Sequence, residues 1–142
     1  MVPEINYWAV LLAMLSSMLV GSVWYSPKVF GTRWSKLANV DMDKPASAAV
    51  MPIITTVIVS FITAWVLAGA ASIAWHFYEG SYFVSALVTS VALWAGFTAA
   101  RFITHDAFEG RPTNLTMMNI AHELVTLLVM AIIIGVWPPA LG

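Results

Sequence analysis

Residues 51–75 read MPIITTVIVSFITAWVLAGAASIAW, 25 positions without one charged side chain. At 1.5 Å of rise per residue a helix of this run is about 37 Å long, enough to cross the roughly 30 Å of bilayer hydrocarbon. Three more stretches share its character, at 5–25, 82–100 and 115–137. Backbone groups in lipid must be bonded internally, and runs this uniformly apolar are helices, not the alternating strands of a barrel. The predicted fold is all-α: one domain over residues 1–142, with four transmembrane helices in an antiparallel bundle.

Composition agrees. Apolar residues make up 61% of the chain and charged residues 9%, with a mean hydropathy of +0.86. A water-soluble domain of this make-up would expose large apolar patches, so the lipid bilayer is the expected partner.

The charges give an orientation. Lys28, Arg33, Lys36 and Lys44 lie between the first and second spans, and Arg101 and Arg111 lie at and beyond the end of the third. The opposite face holds Glu4, the link His76-Phe77-Tyr78-Glu79-Gly80 and the tail Pro138-Pro139-Ala140-Leu141-Gly142, with no Lys or Arg. The positive-inside rule then predicts a multi-pass protein of a bacterial cytoplasmic membrane with both termini on the non-cytoplasmic side. The first span is expected to stay as an anchor, since the acidic Glu4 and no basic residue precedes it and its apolar run is too long for a signal peptide.

A net charge of -1 argues against a nucleic-acid partner. The chain has no Cys, which removes disulfides, thiolate metal sites and thiol redox chemistry. No cofactor is expected.

Trp8, Trp24, Trp75 and Trp137 fall at span ends, where aromatic belts form. Trp65 and Trp94 fall near the middle of theirs. The simplest reading is packing bulk; the sharper one is an aromatic wall of a pocket for a lipophilic ligand. Small residues recur every fourth position at Ala9, Ala13, Ser17 and Gly21, at Ser60, Ala64, Ala68 and Ser72, and at Ala92, Gly96 and Ala100. Such stripes let helices approach closely, most of them within the monomer, with the remainder free to serve a homo-oligomer or other membrane subunits.

The first loop is more than a linker. Pro27 stops the span, and Val29, Phe30, Trp34 and Leu37 beside Arg33 and Lys36 predict a short amphipathic helix at the interface. Trp24-Tyr25-Ser26-Pro27, then Phe30-Gly31 and Trp34, at the end of a span that begins Ile5-Asn6-Tyr7, resembles the bacterial membrane family catalogued as domain of unknown function 1761. A second motif is similar to that family's last helix: Gly110-Arg111-Pro112 leading into Met118-Asn119-Ile120-Ala121-His122-Glu123-Leu124-Val125 and closing on Gly135-Val136-Trp137. The resemblance implies a four-helix integral membrane protein and carries over no activity and no catalytic residue.

Chemistry is sought where polarity is expensive. Glu123 lies eight residues into the fourth span, about 12 Å deep, where a carboxylate needs protonation, a cationic partner or a water-filled cavity. Asn119, His122 and Glu123 are three and four residues apart and can share a sector of the helix. Arg101 is the one basic residue outside the loops, so an Arg101–Glu123 pair with His105 or His122 beside it is the expected geometry. The roles open to this cluster are a polar clasp that fixes helix register, a proton or ion relay, and a ligand site. A metal set drawn from His105, Asp106, Glu109 and His122 is weakly supported by spacing, and no metal is expected. Asp106, Glu109 and Arg111 read as solvated loop residues.

Ser and Thr recur in the middle spans, among them Thr55, Thr56, Ser60, Thr63, Ser85, Thr89, Ser90 and Thr98. By default they bond their own helices; facing a common cavity with Glu123, they would form a hydrophilic lining. There is no nucleophile elbow, phosphate loop or dinucleotide fingerprint, which weighs against an enzyme without excluding one. The leading expectation is a structural or accessory subunit acting through oligomerisation or docking on a larger membrane complex. Behind it stand a proton or small-solute conduit built on the Arg/His/Glu cluster, and an enzyme or binder of a lipophilic molecule.

Overall fold

The computed structural model describes residues 3–140. Helix α1 spans Tyr7–Trp24 and is followed by the short α2, Gly31–Ala38. A 3-10 turn at Ala46–Ala49 leads into α3, Val50–Tyr78. The third long helix is α4, Tyr82–Leu93, running through a π-helical turn at Trp94–Ala99 into α5, Ala100–Phe108. The last is α6, Thr113–Val136. There is no strand among the described residues. Four helical stretches are long and apolar enough to cross a membrane, as the sequence predicts, and the short helix after the first is present.

Two boundaries move. The second span continues through Tyr78, which makes His76, Phe77 and Tyr78 helical and shortens the link to Glu79-Gly80-Ser81. The third span continues to Phe108, so that Arg101, His105 and Asp106 all lie on a helix. Both extensions carry aromatic or polar residues, which lower hydropathy without breaking a helix.

The helices form a ring in which α1 packs on α3 and α6, and α4 packs on the same two; α3 and α6 face each other across the centre with little contact. The core lies mainly in the half that carries the chain ends: Val10, Ala13, Leu67, Ala68, Ala71, Tyr82, Ala86, Ala131 and Ile134 are all buried there. The small-residue stripe of α1 faces this core with Ala9, Ala13 and Ser17, and that of α3 with Ser60, Ala64, Ala68 and Ser72. At Gly135 a Cβ would lie 2.9 Å from Phe83 Cδ2 and 3.0 Å from its Cα, so α6 and α4 cross as closely as backbones allow. Asn6 clamps this end: its Oδ1 accepts from the backbone N–H groups of Trp8 and Ala9, and its Nδ2 donates to the Trp137 carbonyl at 3.2 Å.

The other end, where Lys28, Arg33, Lys36, Lys44, Arg101 and Arg111 gather, is built loosely. Residues 46–59 are all exposed except the partly buried Val57. Taken over its whole length, α3 packs on α1 and α4 but has no comparable packing on the π turn or α5.

Candidate functional site

The site begins where α1 ends. Pro27 cannot donate a helical hydrogen bond, and the chain reverses: Tyr25 N–H still bonds the Gly21 carbonyl at 3.0 Å, while Phe30 N–H bonds Trp24 O at 3.1 Å and Gly31 N–H bonds Ser26 O at 2.9 Å. Gly31 makes this possible, because a Cβ at that position would overlap the Tyr25 carbonyl oxygen and the Ser26 backbone. The reversal packs Phe30 against Trp24 at a tilt with ring centroids 4.7 Å apart, and sets Trp34 edge-on to Tyr25 at 5.1 Å.

Tyr25 is thereby held against α6. Its hydroxyl donates to Asn119 Oδ1 at 3.3 Å, and its ring lies 4.8 Å from that of His122, which also meets Trp24 at 5.9 Å. His122 Nδ1 lies 3.3 Å from Glu123 Oε1, and its Nε2 lies 3.5 Å from Thr126 Oγ1. The neutral tautomer with its hydrogen on Nδ1 satisfies both contacts, donating to the carboxylate and accepting from the hydroxyl. Tyr25 is level with Asn119, so Glu123 sits one turn, about 6 Å, inside the end of α1. It is shallower than a count from residue 115 implies.

Glu123 opens into a cavity of about 590 Å³ between α1, α3 and α6. Its α1 wall carries Ser17, Met18, Gly21, Ser22 and Tyr25; the α3 wall carries Ile53, Thr55, Thr56, Val59, Ser60 and Thr63; and α6 adds His122, Thr126, Leu127 and Met130 beside the carboxylate. The hydroxyls of the second span thus face a common space with Glu123, whereas Ser85, Thr89, Ser90 and Thr98 of the third do not line it. No Lys or Arg lines it among the described residues. Of the three ways to keep a carboxylate in a membrane, the structure offers a cavity.

The expected Arg101–Glu123 pair does not form. Arg101 and His105 are exposed, and neither takes part in an ion pair among the described residues. The cause is the π turn. Eleven residues separate Arg101 from the buried Ser90, which in an unbroken α-helix would place them within about 20° on one face. A π turn holds more residues than an α turn and rotates the helix beyond it by roughly 100°. Arg101 swings outward, and Asp106, treated as solvated in the sequence, swings inward to 7% exposure. Thr116 Oγ1 donates to Asp106 Oδ2 at 2.6 Å, and Arg111 N–H donates to the Asp106 carbonyl at 2.9 Å, which fixes the start of α6. The Arg111 side chain bonds Glu109 at 2.6 Å, and that carboxylate, with Asp106 beyond it, raises the guanidinium above its ordinary range. No group of three His, Asp or Glu side chains close enough to hold a metal ion occurs among the described residues.

Trp65 and Trp94 do not share a wall. Trp65 is 45% exposed on the outside of α3. The Trp94 indole N–H donates to the Ile120 carbonyl at 2.8 Å and ties the π turn to α6. Neither ring lines the cavity. Sequence reading missed the Tyr25–Asn119 bond, because the two residues are 94 positions apart; the signal available was a phenol at the end of one apolar run and an amide inside another.

The two motifs that carry the family resemblance, Trp24 to Trp34 and Asn119 to Glu123, are therefore the two halves of one site. No curated protein and no solved structure matches the chain. A family model described as "Protein of unknown function (DUF1761)" matches residues 8–135, and the chain belongs to that family.

Proposed function

We propose that this protein binds a small amphipathic molecule in the cavity between α1, α3 and α6. The observation that carries the reading is the Glu123 carboxylate, its side chain 38% exposed and facing that cavity, with His122 Nδ1 at 3.3 Å the one basic side-chain nitrogen in contact with it among the described residues. The volume of about 590 Å³ lies in the range of small-molecule sites, and the lining mixes hydroxyls of α1, α3 and α6 with the apolar Met18, Leu127 and Met130. The far half of the bundle is packed shut by Leu67, Ala68, Ala71 and Ile134, which favours a closed-ended binding site over an open conduit. With the basic end toward the cytoplasm of a bacterial cell and both termini on the other side, the cavity receives its ligand from the cytoplasmic leaflet or the water beside it.

A second reading, an accessory subunit that oligomerises or docks on a larger complex, is favoured by one feature. The stripe Ala92, Gly96 and Ala100 is exposed, with open space at Gly96 and Phe97 standing 74% exposed beside it.

Native mass spectrometry of the protein in nanodiscs prepared from its source membrane tests both. A retained small molecule that disappears in Thr63→Phe, which fills the cavity from α3, is the expected result. Retention unchanged by that substitution would overturn the binding reading, and stoichiometric foreign subunits with an empty cavity would put the accessory role in its place.

A further inference from the structure

We propose that the cavity takes a monovalent organic cation, its ammonium head at Glu123 and Tyr25 and its hydrocarbon body against Met18, Leu127 and Met130. This rests on the binding reading above and names the ligand class. Two observations carry the charge of the head group. Glu123 brings a formal negative charge into the cavity, and no Lys or Arg lines the walls to neutralise it among the described residues. His122 meets the carboxylate through Nδ1 at 3.3 Å and is the one basic side chain in contact with it among the described residues, so the remainder of a carboxylate whose side chain is 38% exposed is open to a counter-charge from the cavity. A buried or half-buried carboxylate in a membrane gains most from a counter-charge that enters with its own apolar cover. An anion would meet the carboxylate head-on.

The second ligand feature is aromatic. Tyr25 lines the same cavity as the carboxylate, its ring fixed by Trp34 at 5.1 Å and by its bond to Asn119. A fixed aromatic face attracts alkylammonium groups through its quadrupole. A bare metal ion fits less well. Hard cations need six or more converging oxygens, and Glu123 is the one carboxylate in the lining. The remaining volume is far larger than an ion requires, and its deep end sets Met18, Leu127 and Met130 beside the hydroxyls of Ser17, Ser60 and Thr63.

The test uses the full chain in phosphatidylcholine nanodiscs, whose zero net charge keeps cations off the lipid, with benzyltrimethylammonium as probe. Its charge is permanent, so only the protein sets the electrostatics. Saturable binding by equilibrium dialysis is expected, with neopentylbenzene, the neutral isostere, failing to compete at equal concentration. Glu123→Gln keeps an oxygen for His122 and removes only the charge; it is expected to weaken binding at least about tenfold, and Glu123→Asp by no more than about threefold. Absence of saturable binding, equal competition by neopentylbenzene, or wild-type affinity in Glu123→Gln would each overturn the cation assignment. Thr63→Phe separates the two levels: neopentylbenzene that binds the wild type and not this variant would leave the cavity reading standing while the cation class falls. Binding of both probes unaffected by Thr63→Phe would sink the two together.

Discussion

The two ends of this bundle are made from the same kinds of helix and behave as different materials. Around Gly135, a Cβ would meet the Phe83 backbone at 3.0 Å, and Val10, Ala13, Ala71, Ala86 and Ala131 have at most 1% of their surface exposed. Around Gly21, near the other end, the nearest atom to an added Cβ is His122 Nε2 at 3.7 Å, an ordinary contact, and the space beyond is the cavity. Small residues at four-residue spacing occur in both places. In the first they bring backbones together; in the second they leave room. The difference lies in the partner: Gly135 meets the backbone of α4 close to its short link with α3, whereas Gly21 meets only the His122 side chain of α6 and is parted by the cavity from the stretch of α3 that comes after a 25-residue connection.

Substitutions can break that contrast. The largest effect is expected from Gly135→Leu, which forces a branched side chain into the α4–α6 crossing and should cost about 3 kcal/mol, read as a lower midpoint of denaturation in detergent micelles. An unchanged midpoint would mean that the packed half is not packed. Next comes Gly31→Ala at the loop reversal. The overlap with the Tyr25 carbonyl must be relieved by moving the loop, at about 2 kcal/mol, and tryptophan fluorescence should report Trp24 and Trp34 leaving their contacts with Phe30 and Tyr25. Trp94→Phe removes the indole donor to Ile120 and leaves that carbonyl with one bond fewer; a loss of about 1 kcal/mol is expected, with amide exchange quickening at the π turn. The smallest change belongs to Gly21→Ala. Its Cβ has room and alanine favours helix, so stability should stay within about 0.5 kcal/mol of wild type or rise, and a large loss would show that the open half is closed.

Much of the fold was legible in the chain. Each apolar run between charges became a helix, and Pro27 and Pro112 sit at boundaries, because lipid leaves the backbone no alternative to internal bonding. The candidate site was legible in its residues but not in its pairing. Asn119, His122 and Glu123 stood out as polar groups inside a span, and Trp24, Tyr25, Phe30, Gly31 and Trp34 as more than a linker. That Tyr25 would reach Asn119 depends on the tight reversal after α1, whose hydrogen bonds are set by backbone geometry, not by side-chain pattern.

The sequence by itself determined the number of helices, their approximate ends and the gathering of Lys and Arg at one end, since hydropathy and charge act residue by residue. Only the tertiary structure decided which polar groups meet. Facing direction is a sum of rotations along the helix, and a single π turn, tied to α6 by the Trp94 indole, resets that sum: it turned Arg101 outward, brought Asp106 to Thr116, and left Glu123 to face a cavity instead of a guanidinium.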